Sequence, residues 1–232
     1  VNTVFLLGGN RNLQPEKART WSFGVDVTPR AWPGFRASET FYDINFTDVI
    51  GTPPTNLVFT DPTFASVVYR NPSAAQLSSL LALGVPVTLP TPLPAIGNVL
   101  DLRRGNFGVR KTNGLDFDVS YRRATGFGSV FGGVAGNYIY KFDTQLSPTA
   151  PVSKALRLGV PKATVRTTAG LTAGAISVVG FVNYRDGVTN TYATPTGTGV
   201  YDAKAYATVD LRLAWTLPSV GLAKGTEAAL QV

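Results

Sequence analysis

Residues 115–122 read Leu-Asp-Phe-Asp-Val-Ser-Tyr-Arg. Leu115, Phe117, Val119 and Tyr121 alternate with Asp116, Asp118, Ser120 and Arg122. Successive side chains of an extended strand point to opposite sides. This stretch therefore predicts a strand with one apolar side and one charged side.

The same period of two recurs outward in both directions. Toward the N-terminus, Trp21, Phe23, Val25 and Val27 oppose Ser22, Gly24, Asp26 and Thr28, and Tyr42, Ile44 and Phe46 oppose Asp43, Asn45 and Thr47. Toward the C-terminus, Val130, Val134, Tyr138, Tyr140 and Phe142 share a side against Asn137, Lys141 and Asp143. Ala163, Val165, Thr167, Ala169 and Leu171 oppose Thr164, Arg166, Thr168 and Gly170. Ile176, Val178, Val182 and Tyr184 oppose Ser177, Asn183 and Arg185. Ala207, Val209, Leu211, Leu213 and Trp215 oppose Tyr206, Thr208, Asp210 and Arg212, and Ala228, Leu230 and Val232 oppose Glu227, Ala229 and Gln231. The expectation is about eight strands, most near the ~10 residues that a tilted strand needs to cross a bilayer.

The links between them alternate in length. Pro29 to Gly34, Ala124 to Gly128, Leu171 to Ala175 and Pro218 to Gly225 are short; Gly51 to Leu100, Gln145 to Pro161 and Gly187 to Lys204 are long. Short turns at one rim and long loops at the other are the pattern of outer-membrane barrels, the short turns being periplasmic. A soluble sandwich has no reason to sort its loops this way. Aromatic residues stand near strand ends: Trp215, Trp32 and Phe35 by short turns, and Tyr138, Tyr140 and Phe142 toward a long loop. Interfacial girdles would place them there, and so would the general preference of aromatics for strands.

Composition narrows the classes further. Charged residues are 15% of the 232 and hydrophobic ones 44%, yet no run approaches the ~18 apolar residues of a membrane helix. A buried sheet or a lipid-facing barrel satisfies both facts. Glycine (24) and proline (16) fall mainly between the alternating segments and read as turns. There is no cysteine and no histidine, so thiolate metal sites, disulfides and a Ser-His-Asp triad are excluded. The net charge of +7 is scattered along the chain, with its densest doublets at Arg103-Arg104 and Arg122-Arg123. Nucleic-acid binding would gather that charge on one face, so none is expected.

Other sequence features resolve without chemistry. Gly126-Phe127-Gly128 lacks the helix that a phosphate loop requires. Asn45-Phe46-Thr47 matches a glycosylation acceptor but lies inside an expected strand. Asp116 and Asp118 share a side and could pose as an acid/base pair; with Arg166, Arg185 and Arg212 on the same kind of face, a solvated charge network is the reading adopted. No catalytic, cofactor-binding or metal-binding residue is expected. Within the long link, Asn71-Pro72-Ser73 precedes Ala74 to Gly84, where Leu77, Leu80 and Leu81 follow helical spacing. A short helix packed on its own loop is expected there. Val1 opens a chain that holds no methionine, and Gln231-Val232 fall inside an alternation, so the sequence reads as part of a longer one.

The ordered motifs resemble one family. Gly9-Asn10-Arg11-Asn12-Leu13-Gln14-Pro15-Glu16-Lys17, running into Thr20-Trp21-Ser22-Phe23-Gly24-Val25-Asp26, is similar to a loop-and-strand motif of TonB-dependent outer-membrane receptors. Phe41 to Ile50 resembles that family's next strand. Asn106 through Gly114-Leu115-Asp116, Pro161-Lys162-Ala163-Thr164, Asp210-Leu211 and Leu230-Gln231-Val232 resemble later ones, in the family's order.

The resemblance implies an all-β fold: antiparallel up-and-down strands from the later part of a plugged barrel of roughly 22 strands. Residues 1–232 would be partial barrel and 51–100 a long extracellular loop with a short helix. It implies uptake of a scarce nutrient such as a ferric siderophore, a cobalamin-like compound or a glycan, in the outer membrane of a Gram-negative cell. The implied partners are outer-membrane lipid, the plug domain of the same protein, the TonB complex acting through that plug, and a small-molecule or metal-chelate substrate. Candidate lumen-facing residues are Asp26, Asp116, Asp118, Arg166, Arg185, Asp210 and Arg212. Another outer-membrane channel, or a soluble all-β binding domain, stands as the alternative. A piece of barrel leaves open edges that cost several kcal/mol per unpaired group in lipid, so this stretch is not expected to be stable there alone.

Overall fold

Each of the eight alternating segments forms a strand, and the strands pair in chain order. The computed structural model describes residues 2–82, 95–194, 197–217 and 226–232. Its strands are β1 (Asn2–Leu6), β2 (Lys17–Val27), β3 (Phe35–Gly51), β4 (Val68–Arg70), β5 (Ile96–Asp101), β6 (Gly105–Thr125) and β7 (Gly128–Gln145). They continue with β8 (Ser153–Lys154), β9 (Ala163–Ala173), β10 (Ile176–Arg185), β11 (Val188–Thr194), β12 (Gly197–Ala203), β13 (Tyr206–Thr216) and β14 (Glu227–Gln231). One α-helix, α1, spans Ala74–Leu81, and a 3-10 helix spans Pro62–Val67. The main sheet runs β14-β13-β10-β9-β7-β6-β3-β2, with β8 added beside β7. The Pro218 to Gly225 turn, and Leu83 and Gly84 after α1, lie outside the described residues.

The chain divides into two compact units. The second comprises Thr20–Asp43, Thr112–Phe142 and Ala155–Val232. Its register is continuous: Ala173 pairs with Ile176, leaving a two-residue turn in which Gly174 takes φ +55°. β10 then pairs with β13 through ten consecutive residues, Ile176–Trp215 to Arg185–Tyr206. The link from Gly187 to Lys204, read as a long loop, holds the hairpin β11-β12, paired from Val188–Ala203 to Thr194–Gly197. The loop before it is tied to that hairpin, with Thr189 N–H donating to the Arg157 carbonyl at 2.7 Å and Gly159 N–H to the Thr189 carbonyl at 3.0 Å.

The first unit comprises Val1–Arg19, Ile44–Lys111 and Asp143–Lys154. The sequence shows 51–100 as a loop with one helix; the structure adds the 3-10 helix, β4 and β5, with β1 parallel to β5. The signal for that small sheet is weak because β4 has three residues and β1 pairs with a segment more than ninety residues away. Two apolar clusters fill the unit. Val58, Phe64, Leu100 and Leu102 form one; Leu6, Leu80 and Val99 form the other. Leu80 comes from α1, whose N-cap is Ser73: its hydroxyl accepts from Gln76 N–H at 3.3 Å, and the Gln76 side chain accepts from Ser73 N–H at 2.9 Å. That reciprocal pair satisfies two donors at the helix start. Pro72 stands before the cap and not inside the first turn.

The motif residues that resemble a family loop are held by long-range hydrogen bonds in this unit. Asn106 accepts from Gln14 N–H at 2.9 Å and donates to the carbonyls of Gln14 and Asp48 at 2.7 and 2.8 Å. Glu16 accepts from Ile50 N–H at 2.8 Å, and Lys17 pairs with Asp48 at 2.8 Å. Asp48 itself has φ +58°, a local irregularity in β3.

Gly34 closes the β2–β3 turn with φ +91°, and its carbonyl accepts from Arg122 N–H at 3.0 Å. A Cβ there would lie 1.9 Å from the Arg122 carbonyl oxygen. Gly34→Ala in the full-length protein is therefore expected to destabilise the barrel by at least ~1 kcal/mol. Gly126→Ala, at a glycine where an added Cβ would meet no atom within 4 Å, is expected to leave it unchanged. The temperature at which the folded band is lost on unheated electrophoresis measures both; equal midpoints would contradict the close approach.

Candidate functional site

Register decides which side chains share a face. Residues directly opposite in an antiparallel pair point the same way. Arg166 of β9 stands between Ala135 of β7 and Asn183 of β10. Asn183 stands opposite Thr208 of β13, Arg185 opposite Tyr206, Phe181 opposite Asp210 and Val179 opposite Arg212. Arg212 in turn faces Gln231 of β14. One face of the second unit thus carries Arg166, Arg185, Asp210 and Arg212 together.

Hydrogen bonds add the other strands to this face. Asn137 donates to the Asp116 carboxylate at 2.5 Å and to the Tyr42 hydroxyl at 3.0 Å. Asp118 follows Asp116 by alternation along β6. A Cβ on Gly24 would lie 2.8 Å from the Thr40 hydroxyl, so Gly24, and Asp26 two residues on, share the side of Thr40 and Tyr42. The seven candidate residues therefore fall on one polar face. The opposite face carries Val165, Leu171, Val178, Val182, Leu211 and Trp215 among others. It is open: Phe23 and Val209 are 73% and 74% exposed.

In β3 the two faces depart from what residue type suggests. Tyr42 looks apolar in sequence but lies on the polar face, its hydroxyl over Gly114, where a Cβ would approach it to 2.4 Å. Asp43 lies on the other side and accepts from Asn113 at 3.2 Å.

The polar face forms hydrogen-bonded and ion-paired networks. Asn183 donates to Asp210 at 2.7 Å, and Arg212 pairs with Glu227. Asp116 is engaged by an amide and not by a second carboxylate. A recess of about 490 Å³ is bounded by Arg36, Asp118, Arg122, Phe131 and Arg166. Here Arg122 lies over the Phe131 ring at 4.5 Å, and Arg166 over the Phe181 ring at 4.2 Å. A guanidinium over a ring is held by the negative π face while its edge stays available for hydrogen bonding. A second recess, of about 650 Å³, joins Asp116, Asn137, Arg166, Asn183 and Arg185. Phe131, Phe181, Arg36 and Arg122 belong to this face and lie outside the seven sequence candidates. The two phenylalanines interrupt the polar alternation, and that interruption was the available signal.

In the first unit, the polar centre is Asp61. It caps the 3-10 helix, accepting from Thr63 N–H at 2.9 Å, from the Ser147 hydroxyl at 2.5 Å and from the Thr149 hydroxyl at 2.6 Å. Ser147 is fully buried and accepts from Ala150 N–H at 3.0 Å. The Ser147 and Thr149 hydroxyls, with help from Thr63, hold the Asp61 carboxyl down at about 2 against the opposing effect of burial. Nearby in the same unit, Arg103 grips Asp101 with two hydrogen bonds of 2.8 and 2.6 Å. Burial pushes the Asp101 carboxyl up, but the hydrogen bonds and the positive charge of Arg103 together leave it below its ordinary value.

The Asp61 value is depressed in the folded state, so the ionised form favours the folded loop. That contribution is complete above the ordinary carboxylate range near ~4 and is lost as pH falls toward about 2. Amide exchange of residues 61–64 and 147–150, corrected for intrinsic rates, is expected to accelerate across that window. Asp61→Asn should accelerate it at neutral pH and remove the pH dependence. A wild-type profile flat across that window would contradict the assignment.

The TonB dependent receptor-like, beta-barrel family matches residues 1–231. Among solved structures, the siderophore receptor PirA from Acinetobacter baumannii is 12% identical with a TM-score of 0.57, over 91% of this chain and 27% of that one. The ferric enterobactin receptor PfeA from Pseudomonas aeruginosa, a mutant in complex with enterobactin, is 13% identical with a TM-score of 0.56, over 91% and 25%. The outer membrane transporter YddB from Escherichia coli is 11% identical with a TM-score of 0.54, over 92% and 27%. No curated protein sequence matches the chain. The chain spans about a quarter of the length of these structures. With its two-faced antiparallel sheet and a family match over nearly every residue, the chain belongs to the TonB-dependent receptor β-barrels of the outer membrane.

Proposed function

We propose that this chain forms part of the wall and of the extracellular loops of a TonB-dependent transporter, which takes up a scarce nutrient of the ferric-siderophore, cobalamin-like or glycan class. The observation that carries this reading is the two-faced sheet. One face bears Asp26, Asp116, Asp118, Arg166, Arg185, Asp210 and Arg212, and the other is open and apolar. In this reading the apolar face meets lipid and the polar face lines the lumen. The seven charged residues hydrate that lumen and meet the plug domain of the parent protein. The TonB complex acts on that plug and drives release of substrate inward.

The segment from Gly51 to Leu100 is the proposed substrate-facing element. Its cores at Phe64 and Val99 make it a folded scaffold, which suits a loop that presents binding groups. Ferric enterobactin and ferripyoverdine name two of the similar receptors, so ferric siderophores are the class to test first.

Uptake of radiolabelled ferric siderophores by iron-starved cells tests the reading. Deleting the full-length gene or the TonB gene is expected to abolish uptake of one siderophore class. Replacing residues 53–99 by a short Gly-Ser link is expected to weaken binding by at least roughly tenfold, about 1.4 kcal/mol. Uptake that persists without TonB would reassign the protein as a passive channel.

A further inference from the structure

On the apolar face, β6 carries a bounded run. Its outward positions are Asn113, then Leu115, Phe117, Val119 and Tyr121, then Arg123. Asn113 is hydrogen-bonded to Asp43 at 3.2 Å on that face, so a polar pair closes one end and a cation the other. Ten residues of strand rise about 33 Å, or about 25 Å along the membrane normal at a tilt near 40°. That is the height of the apolar band of an outer-membrane barrel. Arg123 therefore stands at the level where hydrocarbon gives way to headgroups, on the side of the short turns.

At that level lies a cleft of about 790 Å³ lined by Trp32, Phe35, Tyr121, Arg122 and Arg123, with small residues completing it. Trp32 and Phe35 meet edge to face at 5.8 Å, and Trp32 is 64% exposed. Arg122 turns its guanidinium over Phe131 on the polar face, which leaves Arg123 as the cation of the cleft. No carboxylate lines it, and Arg123 has no ion pair or side-chain hydrogen bond among the described residues. Arg30, also exposed, precedes the cleft by one residue.

We propose that this cleft is a phospholipid headgroup site selective for an anionic lipid of the periplasmic leaflet. The phosphodiester accepts from Arg123, and the glycerol and upper acyl chain lie against Trp32, Phe35 and Tyr121. Charge complementarity selects the occupant: a cleft with the Arg123 cation and no carboxylate favours a lipid of net negative charge over a zwitterionic one. Aromatic rings at the headgroup level supply the amphipathic contact. The proposal rests on the membrane placement of this sheet and is independent of which substrate the parent protein carries.

Native mass spectrometry of the full-length receptor, released from detergent with equimolar phosphatidylglycerol and phosphatidylethanolamine, tests it. The wild type is expected to retain one phosphatidylglycerol preferentially. Arg123→Ala is expected to reduce that retention about fivefold, the effect of one interfacial arginine, and Arg123→Lys to keep most of it. Unheated electrophoresis of each variant verifies folding. Equal retention of the two lipids by the wild type would overturn the proposal without any variant, as would unchanged retention in folded Arg123→Ala. Loss of lipid preference with siderophore uptake intact would leave the transport reading standing.

Discussion

A backbone surrounded by hydrocarbon has no water to bond to, so each strand must find its N–H and C=O partners in its neighbours. The rest of the structure follows from that constraint. β9 and β10 meet it by unbroken pairing along both edges, and β13 by ten consecutive pairs with β10. Continuous pairing fixes register, and register fixes which side chains share a face. A one-residue slip between β10 and β13 would move Asp210 and Arg212 onto the apolar side. The charge distribution therefore secures the pairing as much as the pairing arranges the charges.

The polar face meets its own electrostatics with short, local partnerships. Asn137 and Asn183 each bridge strands to a carboxylate, and Arg122 and Arg166 rest on phenylalanine rings. Amides and π faces order most of these charged groups, and Arg212 alone of the seven pairs with a carboxylate, that of Glu227, among the described residues. The first unit works differently. It is held by buried apolar clusters, a capped helix and the Asp101–Arg103 pair.

Legibility in the sequence tracked the locality of the cause. Eight of the nine strands of the main sheet could be read because period-two alternation is written along each of them, whereas the two-residue β8 is too short to show any. Asn106 and Gly114 were recognisable as motif residues before any reason for them was visible. The reason is non-local: Asn106 bonds to Gln14, and Gly114 makes room for Tyr42. The β1–β5 pairing is not legible in the sequence because parallel pairing between distant short segments leaves no periodic trace. Tyr42 misled for a related cause, since its hydroxyl belongs to a network whose other members sit on β6 and β7.

The sequence alone determined that the strands are two-faced, because side-chain direction along a strand depends only on the parity of position, and it set links of alternating length between them. It also determined that histidine and thiol chemistry are closed to the chain. Tertiary structure alone decided which strand residues meet across the sheet. It placed Phe131 and Phe181 beneath arginines, packed the Gly51 to Leu100 segment into clusters shared with Leu6 and Leu102, and set Arg123 at the end of an apolar run beside Trp32. These depend on register and on contacts between segments far apart in the chain, and parity within one strand carries no information about either.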